Sequence, residues 1–158
     1  MAERGDFTRK FDRDILGDTS AEEEEREVQH LRMRAEDQAV EAEFDKILSV
    51  LEYRAAWLRD RFPRCKEPPG VKFRGRRFEF HGDDGQVVGT IEFHVRLTDS
   101  QQGIMIESFM NLEGQFPRRH DYVNFPKENV NADRAKRFVE AKIFEFAGPY
   151  QDAYGRAG

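Results

Sequence analysis

From Ser20 to about Phe62, apolar side chains recur three and four residues apart, the spacing of one face of an α-helix. The stripe runs Val28, Leu31, Ala35, Ala39, Phe44, Ile47, Leu48, Leu51, Ala55, Leu58 and Phe62, and Pro63 closes it. Ser20 with Glu23 has the spacing of a capping box, and Glu22 to Glu25 place negative charge at the positive end of the helix dipole. A helix this long exceeds the usual globular length, so the pattern predicts either a break near residues 38–41 or a projecting first half.

After Pro63, Pro68, Pro69 and Gly70 the period changes from 3.6 to 2. Three half-buried strands follow, carrying Phe78 and Phe80, then Ile91, Phe93, Val95 and Leu97, then Ile104, Ile106, Met110 and Leu112 on the apolar face. A type I′ turn at Asp84-Gly85 pairs Phe78 with Ile91, Phe80 with Gly89 and Arg77 with Glu92. A turn at Ser100-Gln101 pairs Leu97 with Ile104, Val95 with Ile106 and Ile91 with Met110, which keeps every apolar residue on one face. Tyr122 to Phe125 is a candidate fourth, short edge strand stopped by Pro126. Asn131 then caps a last helix with the stripe Ala135, Phe138, Val139, Ile143 and Phe146, expected to end at Gly148-Pro149.

The order α-β-β-β-(β)-α predicts a two-layer α+β domain: an antiparallel meander of three to four strands with both helices on one face. Residues 44–147 are its compact part. Residues 20–43 form an acidic, weakly apolar helix, 148–158 a frayed tail, and 1–19 a polar, charged tail with too little apolar surface to order itself. Phe7, Phe11 and Ile15 interrupt that tail at helical spacing, a set that either folds back on the core or meets a partner.

Composition narrows the class. In 158 residues, 36% are charged and the net charge is −5, and no apolar run reaches membrane-spanning length, which points to a cytoplasmic protein with no membrane association. The single cysteine excludes an internal disulfide framework and any Cys-rich metal site. Fourteen Phe predict a core built largely from rings. The net charge hides a segregation: acids dominate residues 21–45, whereas Arg59, Arg61, Arg64, Lys66, Lys72, Arg74, Arg76 and Arg77 face only Asp60 and Glu67.

Candidate chemistry follows from the register. On the polar sheet face the rows are Arg77, Glu92 and Phe109; Gly75, His94 and Glu107; and Phe73, Arg96 and Met105. Glu107 opposite His94 is a potential acid–base pair, and Gly75 would leave one side of the imidazole open to a ligand, but the general acid–base reading lacks a nucleophile or oxyanion hole. The same residues read as metal ligands offer at most three donors on a flat face, and the other histidines (His30, His81, His120) do not converge there, so no metal site or cofactor is expected. Cys65 lies between Arg64 and Lys66, whose charge favours a thiolate, but no histidine stands beside it. Ser108 falls on the apolar face without the sharp turn of a hydrolase serine.

Three functions remain. The leading one is a non-enzymatic protein-interaction module, an adaptor or small chaperone-like protein, with self-association through residues 44–62 or a sheet edge as one form of it. The second is binding of RNA or single-stranded nucleic acid by the Arg-rich segment 61–77, with Arg64, Lys66, Lys72, Arg74, Arg76, Arg77 and Arg96 contacting phosphates and Phe73 and Phe109 stacking on bases. The third is an enzyme centred on His94 and Glu107. The plainer reading of the arginines is a charged guard on an exposed first strand.

Overall fold

The computed structural model describes residues 20–155. Helix α1 spans Ser20–Arg61 and continues through residues 38–41 without a break. The side chain of Ser20 and the ring set Phe7, Phe11 and Ile15 lie outside the described residues. Contacts divide the chain into two units, residues 1–39 and 40–158. In the first, all side chains from Glu23 to Ala39 are exposed, including Val28, Leu31 and Met33.

In the second unit the rest of α1 leads into five strands, β1 (Cys65–Lys66), β2 (Gly75–His81), β3 (Val87–Leu97), β4 (Gly103–Leu112) and β5 (Phe116–Pro126), and then α2 (Ala132–Tyr154). The strands form one antiparallel sheet in the order β1-β2-β3-β4-β5. Alternation with one buried face set the register expected between β2, β3 and β4: Phe78 pairs with Ile91, Phe80 with Gly89, Leu97 with Ile104 and Ile91 with Met110. The first turn differs from the expected two-residue form. A bulge after Phe80 pairs His81 with Val87, and the loop closes through Gly85 N–H to Gly82 O, with Gly85 at φ +79°.

Two strands extend the meander. β1 covers the outer edge of β2 only at Glu79 and Phe80, and the stretch that carries Arg76 and Arg77 has no described strand outside it. β5 is eleven residues long instead of four, and all but Phe116, Val123 and Phe125 along it are exposed. As an edge it is blunted: Asp121 accepts from the Tyr122 amide at 2.8 Å, Arg134 donates to the Asn124 carbonyl at 3.2 Å, and Pro117 and Pro126 sit at its ends.

Both helices bury their stripes in one core. Phe44, Ile47, Leu51, Ala55 and Leu58 of α1 and Ala135, Val139, Ile143 and Phe146 of α2 share it with the apolar residues of β2, β3 and β4. The stripe over 44–62 is thus occupied within the domain and is not a free association surface. Arg54 and Glu140 tie the helices at 2.6 Å, and Asn131 caps α2 by accepting from the Arg134 amide at 3.0 Å. α2 runs past the expected stop at Gly148-Pro149 to Tyr154, because Tyr150 is buried against Phe80 and Phe146 and its hydroxyl donates to the His81 carbonyl at 2.7 Å. That anchorage outweighs the backbone hydrogen bond lost at the proline.

Candidate functional site: a ring array on the open sheet face

The face of the sheet away from the helices carries the rows expected from the register, and β5 adds a fourth column. Arg77, Glu92, Phe109 and His120 form one row, and Gly75, His94, Glu107 and Tyr122 the next. Across these rows the rings touch. Phe73, from the loop before β2, lies parallel to His94 with centroids 3.7 Å apart. His94 meets Phe109 edge to face at 5.0 Å, Phe109 stacks on His120 at 4.6 Å, and Tyr122 follows at 6.2 Å. The Arg118 guanidinium caps Phe109 at 4.6 Å from its centroid.

Two carboxylates hold this array in place. Glu92 accepts from Arg77 and, at 2.7 Å, from His94 Nε2. Glu107 accepts from Arg96 at 2.6 Å and from His120 Nε2 at 2.9 Å. An ionised carboxylate only accepts, so each histidine carries its proton on Nε2. Burial works to raise the carboxyl of Glu92, but the hydrogen bonds from His94 and Arg77 outweigh it and hold the group below its ordinary value. Glu107 is held down in the same way by Arg96 and His120 against the opposing effect of burial.

The anticipated pairing of His94 with Glu107 is therefore replaced. The two residues are opposite in register, yet His94 bonds Glu92 on its own strand and Glu107 bonds Arg96 and His120. Nor does Gly75 leave a ring face open, since Phe73 covers it. Gly75 serves the backbone: at φ +142°, a Cβ there would lie 1.8 Å from the Phe93 carbonyl oxygen. A cavity of about 250 Å³ does adjoin Gly75, lined by Glu67, Pro68, Val71, Arg76 and Arg77, and His94 is not part of it.

The basic segment is largely neutralised. Arg64 pairs with Asp83, Arg74 with Glu41, Arg76 with Glu67, Arg77 with Glu92 and Arg96 with Glu107 and Asp99. Arg74 also covers the Phe44 ring at 4.0 Å. Lys66 and Lys72 are exposed, on β1 and in the following loop. Phe73 and Phe109 alone of the candidate binding residues enter the array, together with the unforeseen His120, Tyr122 and Arg118. The missed signal was the period of two through Arg118, His120, Tyr122 and Asn124, obscured because the alternate positions Arg119 and Asp121 are also charged.

Ser108 is 1% exposed, its hydroxyl has no hydrogen-bond partner among the described residues, and it lines a cavity of about 240 Å³ beside Asp121 and Lys142. Lys142 is bonded to Asp121 at 2.5 Å and to Glu145 at 3.0 Å, which hold its ammonium protonated against the effect of burial, so it is no base for Ser108. Cys65 is buried, and that burial, helped by Glu67, pushes its thiol up to about 12, opposite to the expected effect of its cationic neighbours. Iodoacetamide is expected to leave Cys65 unlabelled in the folded protein and to label it in urea, read by mass spectrometry. Rapid labelling of the native chain would contradict this environment.

No group of three or more metal-ligating side chains occurs among the described residues, and none of their helices is long and apolar enough to cross a membrane. No protein-family model, curated protein or solved structure matches the chain. The fold defines the class as a two-layer α+β domain with one helix-covered and one open sheet face.

Proposed function

We propose that the protein is a non-enzymatic interaction module, an adaptor or small chaperone-like protein, which offers its open sheet face to a partner protein. The observation that carries this reading is the contiguous array Phe73, His94, Phe109, His120 and Tyr122, whose carboxylates Glu92 and Glu107 are already paired within the chain with Arg77 and Arg96. Covering such a face leaves Glu92 and Glu107 paired within the chain, and the one cation among the described residues that a partner must satisfy is Arg118, which with the pre-ordered rings has the chemistry of an interface hot spot. The matching partner surface is rich in aliphatic or aromatic side chains and carries one hydrogen-bond acceptor for the Arg118 guanidinium. Pairing of Arg64, Arg74, Arg76 and Arg77 with carboxylates favours this over nucleic acid, whose affinity depends on cations free to replace phosphate counterions. A cytoplasmic location belongs to the same proposal and rests on the free, buried thiol of Cys65.

The test places a photoreactive benzoylphenylalanine at Tyr122 and, separately, at the exposed Phe144 of α2. A specific protein adduct is expected from position 122 and not from 144, and it should vanish when Phe109→Ala is added. Light scattering identifies whether the adduct is a second copy. Equal labelling from both positions, or binding of a labelled single-stranded RNA that weakens steeply with salt, would overturn the proposal.

A further inference from the structure

We propose that the cleft between the ends of α1 and α2 is a binding site for a small amphiphilic organic acid, with a flat apolar body and one carboxylate or sulfonate. The cleft has a volume of about 360 Å³, within the range of small-molecule sites, and shares no lining residue with the ring array. Its walls come from Arg61 at the end of α1, from Phe62 and Arg64 just beyond it, and from Tyr150, Gln151 and Tyr154 of α2.

The wall rings are held by the protein itself. Phe62 meets Tyr150 edge to face at 6.0 Å, and Tyr150 stacks with Tyr154 at 5.7 Å. The Tyr150 hydroxyl donates to the His81 carbonyl and the Tyr154 hydroxyl to the Glu113 carbonyl at 2.9 Å. Tyr150 is buried and backs the wall, and the part-exposed rings of Phe62 and Tyr154, the latter with its phenol committed, offer the cleft apolar surface that suits an aromatic or aliphatic body.

The charge requirement follows from the cations. Among the described residues Arg61 makes no ion pair; its guanidinium lies 5.2 Å from the Trp57 ring centroid. Arg64 uses one terminal nitrogen on Asp83, which leaves further N–H donors. Both helices end here, and their carbonyl ends repel an anion. An acid is therefore retained only through the arginines, and Arg61, the one without a carboxylate, is the decisive contact.

The probe is 8-anilinonaphthalene-1-sulfonate, with N-phenyl-1-naphthylamine as the equivalent without the acid group, titrated by fluorescence into the full folded chain. Saturable one-to-one binding of the sulfonate is expected, with the neutral dye about tenfold weaker. Arg61→Gln should weaken the sulfonate by about tenfold at an unchanged melting temperature and bring it level with the neutral dye. Tyr154→Ala should weaken both dyes, and if it perturbs folding, Arg61→Gln alone decides. Non-saturable binding, equal affinity for the two dyes, or indifference to Arg61→Gln would overturn the site.

Discussion

Phe80→Ala is expected to destabilise the domain by about 3–5 kcal/mol, the usual loss for a fully buried phenylalanine. Phe80 is the hub of the rings beneath the helix ends: its centroid lies 4.6 Å from Phe146, 4.9 Å from Tyr150 and 5.8 Å from Phe62. Three elements, β2, α1's C-terminal extension and α2, meet on this side chain. A truncated side chain leaves a void that rigid neighbours fill only in part. Urea denaturation measures the effect, with Phe80→Leu as a milder companion expected to cost under about 1.5 kcal/mol. A loss below about 1 kcal/mol for the alanine variant would mean that this cluster does not organise the core.

Gly75→Ala is the second large effect, expected at about 2–4 kcal/mol from the strain of a positive φ together with the overlap on the Phe93 carbonyl. The comparison with Gly85→Ala isolates the cause. Gly85 also has positive φ, at +79°, but a Cβ there meets nothing within 4 Å, so only the conformational cost of about 1–2 kcal/mol remains. Gly75→Ala should also disturb the face proposed to bind a partner. It separates β2 from β3 where His94 is paired, and with it the stacking of Phe73, seen as a shift of the His94 ring protons by NMR. Equal stabilities for the two variants would show that the close approach at Gly75 is not what demands glycine.

The two ends of the sheet illustrate how far periodicity reaches. β2, β3 and β4 have one face in the core, so a slip of one residue would expose Phe78, Ile91, Phe93 and Met110 together, and the pattern admits a single register. β5 has no such constraint over most of its length. Its place comes from backbone hydrogen bonds to β4, which any side chain can accompany, and only Val123 and Phe125 advertised it. The end of α2 is a similar case. Gly148-Pro149 is a valid local stop, overruled by the burial of Tyr150, a contact with residues far away in sequence.

The ring array was half legible for the same reason. Phe73 and Phe109 stood out as rings left on the polar face, and Arg77 opposite Glu92 followed from the register. The choice of Glu92 by His94, and of His120 by Glu107, did not.

By itself, the amino-acid sequence determined the helix stripes, the strand faces and the pairing of the three central strands, since these depend on near neighbours and on burial repeated at a fixed period. Only the tertiary structure decided which carboxylate each arginine and histidine meets, that Phe73 closes over His94, and that the ends of two distant helices enclose a cleft. Acids and bases are abundant along this chain, and exposed alternative pairings differ by about 1 kcal/mol or less. Position in space, set by the packed core, selects among them.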